Sequence, residues 1–436
     1  MKKTTIGGSA VALGGLAGCT GGSDGDGSSS DGGSSSSSDG SGGGNSGNDD
    51  NSGLLTITRL SNSYWESVRT GWESSTEAFS YSGTVELNEG NLNKQFQQVD
   101  TAIAGGTNAI VGQAFQDNGV KELGRAAVDA GVPCVQFWTI SPWLTPADVG
   151  DEWVQFHMPN LYENAYTNAV VLFEAMGGSG NFVHIEGQRG QVSNAGRNRG
   201  LEAALEEYPD IERLNDPIPG NWVRSDSRKA MADLISRFGD DIEGFFAQND
   251  GVALGGLTSL EENDLNVPTV GIDGSRPALE AVQEGRMTAT ISALGPWQAG
   301  WSLAKCYDYN NGWEPDDAER MMVHPGIQIV SDPSEWEDID ERDDLALSTP
   351  EVFIEEMYTG ETPYDWRKMS VVENPDSWDP QNKLEPITET QMRDILSWTE
   401  DNRPSDYELP DAFKDGSQKE EVRQRYADQF QNNPFE

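Results

Sequence analysis

The sequence predicts an α/β protein made of two lobes, each a parallel sheet with helices on both faces. Between residue 54 and about residue 330, short β-rich apolar runs alternate with segments of helical periodicity. This alternation is typical of a parallel sheet covered by helices. The same rhythm restarts after Pro159, so two consecutive units of similar size predict two lobes of the same architecture.

The first unit contains four apolar runs that we interpret as strands, at residues 54–60, 84–87, 109–111 and 133–138. The stretches between them are amphipathic. In the first of these stretches one face carries Trp65, Val68, Trp72 and Phe79, as expected of a helix. We assign the first lobe to residues 54–159 and expect residues from about 293 to 325 to complete it.

The second unit, residues 160–292, is assigned to the second lobe. Helices are predicted at 162–176, 197–207, 227–238, 252–261 and 277–284, and strands at 181–185, 244–247, 267–272 and 287–292.

The region from about Asp332 onward is dense in Asp, Glu, Pro and Trp and contains one convincing helix, at residues 389–398. We interpret residues 326–436 as a return strand followed by an irregular, acidic C-terminal extension. The tryptophans expected to attach it to the body are Trp366, Trp378 and Trp398. A separate functional module is the alternative.

The chain is extremely acidic, with 73 Asp and Glu against 29 Lys and Arg, a net charge of −44 and ten lysines. Such a charge repels nucleic acids and anionic lipid surfaces, so both are excluded as partners. A folded, uniformly acidic and lysine-poor surface is typical of adaptation to high salt, where screening suppresses self-repulsion. It therefore suggests a halophilic archaeal origin, and the alternative is an ordinary acidic surface.

The amino terminus has the pattern of an export signal. Lys2 and Lys3 precede a short, weakly apolar run, and Leu16–Ala17–Gly18–Cys19 resembles the lipobox of exported lipoproteins, whose cysteine receives the lipid. Residues 1–19 are therefore predicted to be a signal peptide, and the Gly/Ser/Asp-rich residues 20–53 a flexible linker. The alternative is an ordinary signal peptide with a chance cysteine.

No catalytic or metal-binding constellation is evident in the sequence. The three histidines, His157, His184 and His324, are isolated, and no nucleophile elbow, phosphate loop or paired-cysteine motif occurs. We therefore predict no enzyme activity, no metal and no cofactor. Cys134 and Cys306 lie in apolar contexts, where they either pair or remain separate buried thiols.

Polar residues collect at the predicted carboxyl ends of strands, where ligands bind in open α/β sheets. The apolar run at 245–247 stops just before Asn249 and Asp250, and the next strand ends at Asp273. Each of these residues has a structural alternative. Asn249 or Asp250 could cap the helix that follows, and Asp273 could be a turn residue.

Two segments place these residues in a family pattern. "AQNDGVALGGLTSL" at 247–260 and "VPTVGIDGSRPALEAVQEGRMTATI" at 267–291 resemble the type I periplasmic substrate-binding proteins, in particular the sugar-binding branch related to ribose-binding protein. The resemblance covers about residues 54–330. It implies two Rossmann-like lobes with a three-strand hinge, near residues 156–159, 292–296 and 326–330.

The resemblance implies ligand contacts from both lobes. They are Asn62, Tyr64, Trp65, Trp138, Arg197, Trp222, Asn249, Asp273 and Gln298. Polar side chains would bind hydroxyl groups, and indoles would cover the C–H faces of a sugar. The alternatives are that the tryptophans belong to the core and that Arg197 is an exposed helix residue. Ribose binders carry Asp–Arg where this chain has Trp138–Thr139, which argues against ribose itself.

The predicted function is that of an exported solute-binding protein of an ABC importer. It would bind a sugar or polyol between its lobes and deliver it to the membrane permease, as a monomer anchored to the outer face of the cytoplasmic membrane through lipidated Cys19. One alternative is a sugar-sensing protein that presents its ligand to a membrane receptor. An exported carbohydrate-active enzyme is the other, although such an enzyme needs a second carboxylate beside Asp273.

Overall fold

The structure, a computed structural model, describes residues 51–60, 63–336, 347–358, 362–396, 398–414 and 416–435. Within these ranges the predicted α/β architecture with two sheets is confirmed. The predicted signal peptide with Cys19, nearly all of the predicted linker, and the predicted ligand contact Asn62 lie outside the described residues.

The first sheet belongs to the first lobe. Its strands are β1 (Ser52–Ile57), β2 (Ser82–Leu87), β3 (Ala109–Gly112), β4 (Cys134–Phe137), β5 (Trp153–Pro159), β12 (Met321–His324) and β15 (Glu385–Pro386). They are ordered β15–β12–β5–β4–β3–β1–β2, and every neighbouring pair is parallel except β12 with β15. The helices of this lobe are α1 (Ser63–Phe79), α2 (Leu92–Ala104), α3 (Val120–Ala130) and α9 (Gly295–Asn310). Because the crossovers are right-handed, α1 and α9 pack together on one face and α2 and α3 on the other.

The second sheet belongs to the second lobe. Its strands are β6 (Gly180–Glu186), β7 (Ile211–Arg213), β8 (Ile218–Pro219), β9 (Gly244–Ala247), β10 (Thr269–Asp273), β11 (Ala289–Ser292), β13 (Ile327–Val330) and β14 (Leu347–Ser348). The order is β14–β13–β11–β10–β9–β6–β7, with β8 also paired to β6. The helices are α4 (Leu161–Ala175), α5 (Val192–Glu207), α6 (Arg224–Phe238), α7 (Asp250–Glu262) and α8 (Arg276–Gln283). Strands β9 and β10 are buried at every residue, as expected of central strands covered on both sides.

The chain crosses between the two sheets through short joints. Strand β5 ends at Pro159 and α4 begins at Leu161, while β11 ends at Ser292 and α9 begins at Gly295. Pro325 and Gly326 are the two residues between β12 of the first sheet and β13 of the second. Such short connections restrict the relative motion of the lobes to rotation about the joints.

The C-terminal extension contains more regular structure than predicted. Its helices are α10 (Pro350–Tyr358), α11 (Glu389–Asp394), α12 (Asp411–Lys414) and α13 (Gly416–Gln429). The extension also adds one short strand to each sheet, β14 beside β13 and β15 beside β12. It is therefore built into both lobes.

Helix α13 escaped prediction because it has almost no apolar face. Val422 and Tyr426, one turn apart, are its buried residues, and the rest of its sequence is polar. Two apolar residues give no usable periodicity, although they are sufficient to dock a helix on a surface that already exists.

The three tryptophans expected to attach the extension are buried: Trp366, Trp378 and Trp398. Trp398 stacks on Trp143, with ring centroids 4.9 Å apart. Trp143 lies in the segment between β4 and β5, and its Nε1 donates to Asn402 Oδ1 at 2.7 Å. This segment of the first lobe thus serves as a docking site for the extension.

A buried ion pair also joins the extension to α9. Lys305 Nζ and Asp308 Oδ2 are 2.7 Å apart and both side chains are fully buried. The ammonium group lies 4.4 Å from the ring centroid of Trp301, and the carboxylate accepts from the Oγ of Ser370 and from the backbone N–H of Val371 at 3.1 Å. Since neither charge contacts water, each depends on the other for its stabilisation.

We predict that Asp308→Asn lowers the free energy of unfolding by about 3–5 kcal/mol, because it leaves the Lys305 ammonium buried without a counter-charge. Urea denaturation at constant salt measures the change. Asp129→Asn, the same substitution at an exposed position of α3, is the matched control and should change stability by less than about 0.5 kcal/mol. Equal stability of the two variants would contradict the assigned role of the ion pair.

Candidate functional site

A cavity of about 500 Å³ lies at the carboxyl ends of the strands, between the two lobes. The segments that follow β1, β3 and β4 form its wall in the first lobe, and those that follow β6, β8, β9 and β10 form its wall in the second. Seven of the predicted contacts line it: Tyr64, Trp65, Trp138, Arg197, Trp222, Asn249 and Asp273. Residues far apart in sequence are thus brought to one place by the order of the strands.

The junction between β9 and α7 places Asn249 in the cavity wall. Asn249 is the N-cap of α7, and its Oδ1 accepts from the backbone N–H of Val252 at 2.9 Å. Its Nδ2 donates to Asp273 Oδ2 at 3.2 Å. Asn249 therefore caps α7 and also contacts Asp273 in the cavity wall, because the oxygen and the nitrogen of its amide bond to different partners.

Asp250 does not cap α7. It is the first residue of the helix, and its carboxylate accepts from Thr290 Oγ1 at 2.7 Å and from the backbone N–H of Ser275 at 2.6 Å. These bonds tie α7 to the ends of β10 and β11. A Cβ added at Gly271 would lie 2.4 Å from Asp250 Oδ1, so this close approach explains the first glycine of "GIDG".

Asp273 ends β10 with a backbone φ of 132°, which is costly for a residue with a side chain. Its carboxylate is buried and accepts from Asn249 and, at 3.4 Å, from Arg197 Nη2. Burial raises the pKa of Asp273, the Arg197 guanidinium opposes the rise, and Asp250 adds to it. Because the Asp273 carboxylate is buried and accepts from both Asn249 and Arg197, Asp273 is not only a turn residue.

Arg197 lies in the second turn of α5, because this helix begins at Val192 and not at Arg197 as predicted. Its side chain is 3% exposed, so it is not a surface helix residue. Nη1 donates to the backbone carbonyl of Gln248, and Nη2 contacts Asp273. These contacts fix the guanidinium against the ends of β9 and β10.

The guanidinium of Arg197 is also held between two indoles. Its central carbon lies 5.4 Å from the ring centroid of Trp138 and 5.3 Å from that of Trp222. Trp138 follows β4 of the first lobe, whereas Trp222 precedes α6 of the second. Each cation–π contact contributes about 0.5–2 kcal/mol, so Arg197 holds the two lobes against each other.

The indole of Trp222 rests directly on Gly187, the residue after β6. A Cβ added at Gly187 would come within 1.9 Å of the ring. Trp222 Nε1 donates to Gln191 Oε1 at 2.5 Å, and its backbone φ of 60° is unusual for an aromatic residue. Trp222 is therefore held in one orientation, facing the cavity.

Gln298 is the predicted contact that does not line the cavity. It is fully buried in α9, behind the wall of the first lobe. Its Oε1 accepts from Trp138 Nε1 at 2.8 Å and from the hydroxyl of Tyr64, and its Nε2 lies 3.3 Å from His324 Nε2. Gln298 therefore positions Trp138 and Tyr64, two residues of the cavity wall.

Hydrogen bonds also join the two lobes at the edge of the cleft. The backbone N–H of Val192, at the start of α5, donates to Asp117 Oδ2 in the first lobe at 3.1 Å. Next to it, Gln191 Nε2 donates to the carbonyl of Phe115 at 3.4 Å. Burial raises the pKa of Asp117 to about 7, and the bond from Val192 opposes the rise.

Sequence reasoning missed several wall residues. Arg59 follows β1, which ends at Ile57, but the predicted strand extended to Leu60 and hid Arg59 inside it. Phe115 follows β3, and Arg224 begins α6. The signal that could have identified the first two is the rule that served for Asn249, namely position just beyond a strand end.

The described part of the chain holds no group of three or more His, Cys, Asp or Glu residues arranged to bind a metal ion. The histidines are buried, and burial lowers the pKa of each. Cys134 and Cys306 are separate, buried thiols. No described helix combines the length and the apolar character that a membrane span requires.

The sequence of residues 54–312 matches the family described as periplasmic binding protein domain. This match spans more than half of the chain. The chain belongs to the periplasmic binding protein family.

Relatives in the family are 21–30% identical to this chain over the matched residues. It is 30% identical to the xylitol-binding protein of Mycolicibacterium smegmatis over 52% of this chain and 64% of that protein, which is slightly less than two thirds of the relative's length. It is 24% identical to the D-apiose import binding protein of Paraburkholderia graminis over 57% of this chain and 77% of that protein. These relatives are binding proteins by name.

Solved structures share the fold. A twin-arginine translocation pathway signal protein from Burkholderia phytofirmans superposes with a TM-score of 0.62 at 23% identity, over 67% of this chain and 92% of that one. An ABC transporter periplasmic solute-binding protein from Actinobacillus succinogenes with bound D-allose gives a TM-score of 0.59 at 24% identity, over 65% and 99%. The two-lobe architecture is therefore that of the family, and the C-terminal extension lies beyond residues 54–312 of the family match.

We predict that Gly187→Ala weakens ligand binding at least about tenfold, although Gly187 need not touch the ligand. The new methyl group cannot coexist with the present position of the Trp222 indole, so this wall of the cavity must move. Isothermal titration calorimetry with the tightest-binding sugar measures the loss. Gly416→Ala is the control, since a Cβ there meets no atom within 4 Å, and equal affinities of the two variants would contradict the assignment.

The raised pKa of Asp117 predicts a pH dependence of stability. The folded protein holds this proton more tightly than the unfolded chain, whose carboxyl titrates near 3.8. Raising the pH from about 4 to 7 therefore lowers the free energy of unfolding, by up to about 1.4 kcal/mol per pH unit, and above pH 7 the contribution stays constant.

Asp117→Asn should flatten this part of the profile. Urea denaturation of both proteins at pH 5, 6, 7 and 8 measures the difference, because the other titrating groups contribute equally to wild type and variant. Asp129→Asn should leave the slope unchanged. Parallel profiles for wild type and Asp117→Asn would show that Asp117 is not the titrating group.

Proposed function

We propose that the protein is an extracytoplasmic solute-binding protein of an ABC importer, which binds a sugar or polyol between its lobes. The observation that carries the proposal is the cavity itself. It lies at strand ends contributed by both lobes, and its polar groups are held rigidly while indoles face it from either side. Relatives named for xylitol, D-apiose and ribose support the same class of ligand.

The chemistry of the wall suits a polyhydroxy compound. Asn249, Asp273 and Arg197 offer donors and acceptors in fixed directions, as adjacent hydroxyl groups require. The rings of Trp138 and Trp222 present flat apolar surfaces to weakly apolar C–H groups. A charged hydrogen bond contributes about 1.5–3 kcal/mol, so a few such bonds support micromolar binding, about 8 kcal/mol, after ordering costs.

In this proposal lobe closure couples binding to transport. The first lobe, residues 54–159 completed by about 293–325, closes over the second, residues 160–292. The bonds from Val192 to Asp117 and from Gln191 to Phe115 belong to the closed form. The ligand selects this form because it contacts both lobes at once, and the membrane permease would recognise it.

We further propose that the protein is exported and anchored at the membrane. The signal-like residues 1–19 would direct export, and a lipid on Cys19 would anchor the monomeric protein outside the cytoplasmic membrane through the linker. The acidic, lysine-poor composition is consistent with a high-salt medium and a halophilic archaeal source. The absence of a catalytic pair in the sequence supports a binding protein without enzyme activity.

We expect Asn249→Ser to bind a sugar at least about tenfold more weakly than wild type at nearly unchanged stability. Serine keeps an oxygen for the backbone N–H of Val252, and thus the helix cap, but loses the amide that faces Asp273. A thermal-shift screen of sugars and polyols in high salt selects the ligand, and calorimetry gives the affinities. Asn263→Ala, at the opposite, exposed end of α7, is the control.

Asp273→Ala should abolish detectable binding, because it removes an acceptor and leaves Arg197 without its carboxylate partner. Unchanged affinity in both Asn249→Ser and Asp273→Ala would place the ligand elsewhere. Turnover of any sugar by the purified protein would contradict the proposal of a binding protein.

A further inference from the structure

The charge of the cavity is opposite to that of the chain. Arg59, Arg197 and Arg224 line it, whereas Asp273 is the single carboxylate among its described lining residues. The chain as a whole carries a net charge of −44, with 73 acidic against 29 basic residues. A local excess of guanidinium groups on such a background indicates that the cavity receives negative charge from its ligand.

Two of these arginines differ from most others in the chain. Surface arginines such as Arg228, Arg286 and Arg425 lie within 3 Å of a carboxylate oxygen. Among the described residues no carboxylate lies within ion-pair distance of Arg59 or Arg224, and both are exposed residues that line the cavity. Arg224 Nη2 donates to the hydroxyl of Thr258 at 3.4 Å, a neutral partner, so neither charge is neutralised by a described carboxylate.

The third arginine has a buried donor without an acceptor. The Arg197 side chain is 3% exposed, and in the described structure its Nε has no hydrogen-bond partner. Its carboxylate partner, Asp273, is 3.4 Å away and also accepts from Asn249. A buried guanidinium donor without an acceptor is costly, so the protein compensates the charge of Arg197 only in part.

The start of α6 also contributes to the electrostatic potential of the cavity. Val223, Arg224 and Ser225 line the cavity, and Val223 is the N-cap of this fifteen-residue helix. An aliphatic N-cap offers no side-chain oxygen to the first-turn N–H groups. The N–H of Asp226 donates to the carbonyl of Val223 at 3.1 Å, which leaves the N–H groups of the lining residues Arg224 and Ser225 at the positive end of the helix dipole. These N–H groups and the Arg224 side chain favour an anion, and the Asp226 carboxylate in the same turn, which accepts from Asn221 Nδ2, offsets part of that potential.

We propose that the ligand is an anionic polyhydroxy compound, a sugar or polyol that carries a carboxylate or a phosphate. Arg59 and Arg224 recognise the charged group, while Asn249 and Asp273 bind hydroxyl groups. This inference rests on the proposed function and narrows its ligand class. Carboxylate and phosphate share the chemistry that arginine recognises, so the test separates them.

The experiment compares ligands that differ in charge and little else. Calorimetry at one salt concentration is run with galacturonate against galactose, gluconate against glucitol, and glucose 6-phosphate against glucose. We expect at least one acid to bind at least about tenfold more tightly than its neutral counterpart, since each hydrogen bond to a charged group contributes at least that factor. Preference in the first two pairs identifies a carboxylate, and preference in the third a phosphate.

The double variant Arg59→Gln/Arg224→Gln should reduce the ratio of acid to neutral affinity to about one. Arg237→Gln, at the exposed far end of α6, is the matched control and should keep the wild-type ratio. Neutral sugars that bind as tightly as their acids would overturn the inference and leave the proposed function standing. Failure of every compound to bind would overturn both, and an acid preference that survives in the double variant would reject the role of these arginines.

Discussion

The arrangement of both lobes around the cavity depends on one buried cation. Arg197 is taken out of water between an indole of the first lobe and an indole of the second, with a carboxylate and a backbone carbonyl as its fixed acceptors. A buried guanidinium is tolerated when such contacts surround it, and it loses half of its aromatic contacts when the lobes separate. The strained backbone of Asp273 and Trp222 is maintained because both side chains are held in this one cluster.

The supports of the cluster reach the joints between the lobes. Gln298 holds Trp138 and Tyr64 from behind and lies next to His324, the last residue of β12 before the chain crosses to the second sheet. The C-terminal extension contributes a strand to each sheet, and Arg199 of α5 donates to the carbonyls at the end of α11. A relative motion of the lobes must therefore repack contacts on both sides of the cleft, which favours two discrete arrangements.

Much of the fold and of the site could be predicted from the sequence, because the prediction rests on where apolar runs end. The same dependence on apolar runs explains which residues could not be predicted. Parallel strands that are buried on both faces end abruptly in polar residues, so Asn249 and Asp273 were visible at their strand ends. Arg59 was hidden because apolarity alone misplaced the end of β1 by three residues. Gln298 was expected in the wall because the family resemblance implies a glutamine after this strand, although the aligned position is Ala293 and Gln298 lies a few residues further on. Its direction depends on how α9 packs against α1. Helix α13 carries too little apolar surface to be recognised before the surface on which it docks is known.

The interlobe distance tests the role of Arg197 most directly. Spin labels on cysteines introduced at Asn118 in the first lobe and Asp216 in the second, both exposed, report the opening of the cleft by double electron–electron resonance. Of the native cysteines, Cys134 and Cys306 are buried and would remain unlabelled, and Cys19 is replaced by serine in both proteins. In the absence of ligand we expect a shorter and narrower distance distribution in the wild-type background than in Arg197→Met, because the variant lacks the cation that joins the two indoles. The same distance distribution in both proteins would contradict the claim that Arg197 holds the lobes together.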